Sequence, residues 1–147
     1  IYALKRKYSF IVTIDADGQH DPSQIPYLIA KLESGSDLVV GKRVKKARIA
    51  EYFFSFYTTL FWNISDPLSG YKAYNHKVCK KIGYFDSYNS IGTEILLFSL
   101  KNGFKVSEHA IKIKSRSGES RFGSLLKANL KILRSLFLSF FQKYNQN

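Results

Sequence analysis

Apolar residues along this chain fall into two alternating rhythms. Residues 9–15 form a short β-branched run, the mark of a buried strand. Asp21 and Pro22 then open a helix, with Asp as N-cap and Pro in the first helical position. Ile25, Leu28, Ile29 and Leu32 recur at helical spacing, and that pattern stops near Gly35. Residues 37–41 (DLVVG) predict a second buried strand, and 49–63 an aromatic-rich helix. SGYKAYN, 69–75, reads as a short strand and turn, and 76–82 as a short helix. A further helix over 93–102 ends at Gly103, which suits a left-handed cap. Residues 105–114 alternate like a strand, a long helix runs from Phe122 onward, and IYALKRK at the start reads as the last turns of a helix. Strands alternating with helices predict an α/β domain with a mostly parallel sheet flanked by helices.

Composition narrows the class. A chain of 147 residues is one domain or part of a larger one, and 45% apolar with 16% aromatic residues supplies a core. A single cysteine, Cys79, permits no internal disulfide and suits a reducing compartment; it reads as a small core residue. The chain has no Met, which predicts a segment of a longer protein lacking an N-terminal portion. No signal-peptide pattern occurs. The most apolar stretch, between Arg134 and Lys143, has about eight residues, against the roughly 20 that span a bilayer.

The net charge of +12 is lopsided: residues 1–43 carry +1 and residues 44–147 carry +11. Such a balance suits an anionic partner, whether nucleic acid, phospholipid headgroups or a phosphorylated substrate. A basic nucleic-acid-binding module fits the charge and the aromatics, but no nucleic-acid recognition signature is present, and nucleic acid is not the expected partner.

The first strand run ends in IDADGQHDP. On a strand, residues two apart share a face, so Asp15 and Asp17 at its C-terminal edge can present two carboxylates to one point. Ligand sites in open α/β sheets lie at that edge. Hard oxygen ligands suit Mg²⁺ or Mn²⁺, Gly18 allows a tight turn, and Gln19 adds a neutral oxygen. With six Asp in the chain, an Asp-x-Asp pair is weak by itself; its place after a buried strand gives it weight. His20, His76 and His109 have no ligand-like spacing and read as structural or surface residues.

The stretch IVTIDADGQHDPSQIPYLIAKLESGSDLVVGKR resembles the central segment of family 2 glycosyltransferases with a GT-A fold. The most similar branch holds dolichyl-phosphate mannose synthase and bacterial polyprenyl-phosphate sugar transferases. Three further motifs follow in that family's order. SDPLSGYKAYNHKV resembles the acceptor-side motif, GTEILLFSLKNGFKVSEHAIKIKSR the helix and strand that carry a late acidic residue, and RSGESRFG the arginine loop before a juxtamembrane helix. The resemblance implies a partial GT-A fold over 1–123 and a C-terminal amphipathic helix over 124–147. It implies metal binding by Asp15, Asp17 and Gln19, with Asp15 and Gln19 also touching substrate. It places Arg43 facing the active site and Asp66, Ser69 and Gly70 in the acceptor loop. It puts a carboxylate at Glu94, and Arg116, Ser117, Ser120 and Arg121 on a phosphate clamp, with Asp17, Glu94 and Arg116 as the catalytic set.

The activity so implied is metal-dependent, inverting transfer of a hexose from a nucleotide diphosphate sugar to a polyprenyl (dolichyl or undecaprenyl) phosphate. The alternative acceptor is a sugar hydroxyl in surface glycan synthesis. In 124–142 Leu, Ile and Phe dominate, while Lys127, Lys131 and Arg134 recur at three- and four-residue spacing. This pattern predicts an interfacial helix on an anionic membrane through residues 124–143, hence a peripheral location on the cytoplasmic face. The aromatic helix over 52–62 is expected to extend the same apolar surface. The family's first strand and base-gripping loop belong upstream of Ile1, so this chain is not expected to be active by itself.

Overall fold

The central strands are apolar on both faces, and that dictates the layering. The structure, a computed structural model, describes residues 2–44, 46, 48–83, 92–114, 129–130 and 132–134. In chain order its elements are α1 (Tyr2–Lys5), β1 (Phe10–Thr13), a 3-10 turn (Pro22–Gln24) running into α2 (Ile25–Glu33), β2 (Leu38–Arg43) and α3 (Ile49–Trp62). There follow β3 (Lys72–Asn75), α4 (His76–Ile82), α5 (Thr93–Lys101) and β4 (Val106–Ile111). Along β2, Leu38 and Val40 enter one core with Tyr74, Val78, Ile95 and Leu96. Val39 enters the other, with Leu28, Leu32, Tyr71, Ala73 and Ile111. Side chains alternate along a strand, so both sheet faces need cover; α4 and α5 supply it on one side and α2 on the other.

The four strands lie in the order β1-β3-β2-β4. β2 and β4 are parallel, while β3 is antiparallel to both its neighbours. Three strands therefore share one direction, as expected, and β3 is inserted in reverse, making the sheet mixed. The reversal matters for the site. β3 starts where β1 ends and beside the middle of β2, pairing Lys72 with both Thr13 and Val40. The SDPLSG loop that leads into β3 is thereby delivered to the C-terminal edge of the sheet.

The element boundaries have local causes. Asp21 is extended and its Oδ1 accepts from Ser23 N at 3.0 Å, so the chain turns there as expected. α3 ends on Asn63 in the left-handed region, φ 57°. β1 stops two residues short of the expected Asp15. Its partner β3 begins only at Lys72, so beyond the Thr13 pairing the ladder has nothing to offer Ile14 and Asp15. Likewise β4 covers only the middle of the expected 105–114, with one further bridge from Ile113 to His20.

Of the expected amphipathic segment, residues 129–130 and 132–134 are described and are helical; the rest of 124–147, and the division at 123, lie outside the described residues. Among the described residues no helix is long and apolar enough to cross a membrane.

Candidate active site

The loop after β1 and the loop before β3 meet at the sheet edge. A Cβ placed on Gly70 would lie 2.1 Å from Asp15 Oδ2 and 2.4 Å from both Cγ and Oδ1. The Asp15 carboxylate thus rests in space that only glycine leaves. Its outer side is open, with 58% of the side chain exposed. Because β1 ends early, Asp15 and Asp17 sit in a loop rather than on a strand, and strand alternation does not align them. Asp17 is instead held in a turn: its Oδ1 accepts from Gln19 N at 3.1 Å around Gly18, whose φ is 77°. Gln19 is tied in turn to the end of β4, its carbonyl accepting from Lys114 N at 2.9 Å. Asp15 and Asp17 also share a neighbour. Burial lowers the pKa of His20, and both carboxylates pull it the other way.

Arg43, expected to face the active site, is committed to carboxylates. Its Nε and Nη2 donate to Asp66 Oδ2 and Oδ1, each at 2.8 Å, a fork-to-fork pair. The backbone N of Arg43 also donates to Asp66 Oδ2 at 2.8 Å, and Nη2 to Glu51 Oε2 at 2.8 Å. Burial works against the Arg43 charge, yet Asp66 and then Glu51 raise its pKa. Arg48 Nη1 reaches Glu51 Oε1 at 3.3 Å. Behind Asp66, Glu108 of β4 accepts from Ser65 N, Ser65 Oγ and Asp66 N, all at 2.8 Å. Asp66 and Ser69 are buried, and Ser69 Oγ accepts from Tyr71 N at 3.3 Å. The loop expected to meet the acceptor is therefore stapled to β2 by an ion pair, to β4 by hydrogen bonds to the Glu108 carboxylate, and through Arg43 to Glu51 of α3. Sequence reading did not single out Glu51 or Glu108; one sits in a helix's first turn and the other in an alternating strand, places where acids are common.

Lys72 is the other residue that went unmarked, although it closes the SGYK motif. It is fully buried, and its Nζ donates to Ser69 O. Burial pushes its pKa from the ordinary 10.5 down to about 8, with Asp66 and Asp15 opposing and Arg43 assisting. Between those two values the unfolded chain binds more protons at this group than the folded one, so stability rises with pH across the window, by about 1.4 kcal/mol per pH unit at most. Cys79, pushed up to about 11 by burial, acts in the opposite sense once pH exceeds its ordinary 9.0. The clean measure is the difference in urea unfolding free energy between wild type and Lys72→Met from pH 7 to 10. That difference should move in favour of wild type above pH 8; a flat difference would contradict the assignment.

Glu94 lies in the first turn of α5 and is buried. Gly92, just before it, brings α5 onto the same edge: a Cβ there would lie 2.7 Å from Tyr74 Oη and 3.6 Å from Lys72 Nζ. The structure thus gathers Asp15, Arg43, Asp66, Ser69 and Gly70 with Lys72 at one edge, and holds Asp17 and Gln19 in the adjoining turn. Arg116, Ser117, Ser120 and Arg121 lie outside the described residues.

The donor set suits a hard divalent cation. Among the described residues no three His, Cys, Asp or Glu side chains gather as a closed cage. An ion such as Mg²⁺ needs only one or two carboxylates when water and substrate phosphates complete its octahedron. Asp15 over Gly70 supplies an open carboxylate of this type, and the buried His20 Nδ1, which has no hydrogen-bond partner among the described residues, points to a polar arrangement still to be completed beside it.

The sequence model of Glycosyl transferase family 2 matches residues 3–90. This chain belongs to that family. Among curated proteins, the polyprenol monophosphomannose synthase of Mycolicibacterium smegmatis is 29% identical over 133 residues, covering 78% of this chain and 49% of that protein. The dolichol-phosphate mannosyltransferase of Pyrococcus furiosus is 33% identical over 107 residues, covering 63% and 29%. Among solved structures, glucosyl-3-phosphoglycerate synthase from Mycobacterium tuberculosis with Mn²⁺, uridine diphosphate and phosphoglyceric acid superposes with a TM-score of 0.72 at 14% identity, over 93% of this chain and 50% of that one. The fold is therefore GT-A, and the chain spans half or less of the length of each of these relatives. It is a family 2 glycosyltransferase domain.

Proposed function

We propose that the protein transfers a hexose, with inversion, from a nucleotide diphosphate sugar to a polyprenyl phosphate at the cytoplasmic face of a membrane. The observation that carries this reading is the Asp15 carboxylate seated over Gly70 at the sheet edge, with Asp17 and Gln19 in the next turn. These three residues would hold Mg²⁺ or Mn²⁺ and the donor diphosphate. The chemistry a bound cation supplies there is Lewis-acid neutralisation of the charge that builds on the leaving diphosphate. The acceptor phosphate oxygen attacks the anomeric carbon, the bond from that carbon to the diphosphate oxygen breaks, and the nucleoside diphosphate leaves with the electron pair. A lipid phosphate is already anionic, so no proton must be removed. Arg43, with Nε and Nη2 engaged by carboxylates, would hold the acceptor loop in shape and offer phosphate its remaining Nη1 donors. Arg116 and Arg121, with Ser120, would close on the phosphates from their loop. The names of the Mycolicibacterium and Pyrococcus relatives support the lipid-phosphate acceptor.

The surface supports the membrane part. Along α3, Ile49, Tyr52, Phe53, Phe56, Leu60 and Phe61 are each more than half exposed. Ala50 N donates to Asn129 Oδ1 at 3.4 Å, which brings the described part of the 124–143 segment to the start of α3, and Leu130 and Leu133 are exposed there too. Lys46 lies over the Tyr52 ring at 5.0 Å. An apolar, aromatic face bordered by cations suits an anionic bilayer surface.

Glu94 favours a second reading, because a buried acid beside the edge is what a hydroxyl acceptor needs as its base. One experiment separates the two. Hexose transfer is followed in the full-length protein with polyprenyl phosphate in anionic vesicles and with glycan acceptors in solution. The lipid-phosphate reading predicts vesicle capture that Phe56→Glu weakens, transfer to the lipid, and little loss of that transfer in Glu94→Gln. A fall of about 100-fold or more in Glu94→Gln, with transfer only to a hydroxyl, would establish the glycan reading instead.

A further inference from the structure

His20 looks idle in the sequence, yet it is buried beside the edge. Only 9% of it is exposed, and its ring stands edge-on to Tyr71 with centroids 5.4 Å apart. Tyr71 is itself fixed: its hydroxyl donates to Asp21 O at 3.2 Å and its backbone N to Ser69 Oγ at 3.3 Å. The backbone of His20 is bridged to Ile113, beyond β4. So confined, the imidazole has little freedom to choose a neighbour. Its Nδ1 is buried, makes no hydrogen bond among the described residues, and lies 4.0 Å from Asp15 Oδ2. Buried donors are rarely left unmade, and the nearest acidic group is the carboxylate over Gly70.

We propose that His20 is a positioning residue for Asp15: Nδ1–H donates to Oδ2, directly or through one water, and so turns Oδ1 outward to receive the cation. The separation is long for a direct bond; polar contacts of this length commonly run through a water or tighten when a site is filled. The imidazole stays neutral in this role, touches no reacting atom, and transfers no proton. It fixes which of two equivalent oxygens the metal meets, and Tyr71 fixes the imidazole. The turn after β1 is thereby keyed to the loop before β3 through one ring contact as well as through Gly70. The inference rests on the cation reading given above.

The test uses the full-length protein without nucleotide. Mn²⁺ affinity is read from the free-ion electron paramagnetic resonance signal for wild type, His20→Leu and His20→Asn, the last keeping a nitrogen donor near the place of Nδ1. In parallel, nitrogen-15 spectra of wild type with Mg²⁺ identify the His20 tautomer. The expected results are a loss of about 10–100-fold in His20→Leu, substantial recovery in His20→Asn, and a proton on Nδ1. Unchanged affinity in His20→Leu, equal loss in both variants, or a proton on Nε2 alone would each overturn the proposal while leaving the cation site standing. Wild type that binds no Mn²⁺ would overturn both. Should the variants fail to fold, the wild-type tautomer decides.

Discussion

Asp66→Ala should destabilise the domain by about 3–5 kcal/mol, the usual cost of removing one partner from a buried ion pair. The reason lies in how many groups that carboxylate serves. It accepts from Arg43 N, Nε and Nη2, all at 2.8 Å, and its own N is tied to Glu108. Without it, a guanidinium with 17% exposure keeps, among the described residues, only Glu51 as an anionic partner, and the SDPLSG loop loses its anchor to β2. Lys72 also loses the largest charge that offsets its burial. Against total stabilities of about 5–15 kcal/mol, a loss of that size leaves a visibly populated unfolded state. Urea unfolding followed by circular dichroism measures it. Asp66→Asn, which keeps the shape and loses the charge, should fall between the two. A loss under about 1 kcal/mol in Asp66→Ala would place the pair among weak surface salt bridges and contradict the staple described here.

Gly70→Ala should have the opposite profile, with a fold nearly intact and a damaged site. Gly70 is not among the glycines with positive φ, so alanine brings no backbone strain of that kind. It does bring a methyl group to within 2.1 Å of Asp15 Oδ2, and one of the two must move. Asp15 is the half-exposed partner and yields. The expected result is Mn²⁺ affinity reduced by about 10–100-fold at a melting temperature close to wild type. Asp15→Asn should give the same phenotype, and the double variant should be little worse than either single one, because both act on one carboxylate. Unchanged Mn²⁺ binding in Gly70→Ala would show that the cation does not depend on where Asp15 sits.

These two variants also mark where the sequence could and could not be read. DLVVG announced a strand buried on both faces, and the structure buries Leu38, Val39 and Val40 in two separate cores. The helix start at Asp21 and the stop at Gly103 followed from local chemistry, which needs no knowledge of distant partners. The reversed strand was visible only as SGYKAYN; its direction depends on pairing with two strands far away in the chain, and no local pattern encodes that. Lys72 escaped notice because a lysine within a four-residue strand reads as solvent-exposed, whereas here it lies beneath the site. Asp15 and Asp17 were recognisable by type, but the alternation argument placed them on a strand that ends before them. Arg43 was recognisable from its motif, yet its carboxylate partners lie 8 and 23 residues onward, spacings without periodic meaning. The motif order that identified the family supplied what spacing could not.

The central claim is that the Asp15 and Asp17 turn holds a divalent cation which in turn holds a nucleoside diphosphate. The most direct measurement is calorimetric titration of uridine and guanosine diphosphates into the full-length protein, with Mn²⁺ and again with a chelator. The account predicts that one of the two nucleotides binds with Mn²⁺, that this binding disappears with the chelator, and that it weakens by about 10-fold or more in Asp15→Asn. Nucleotide binding of equal strength with and without the metal, or unaltered by Asp15→Asn, would contradict it.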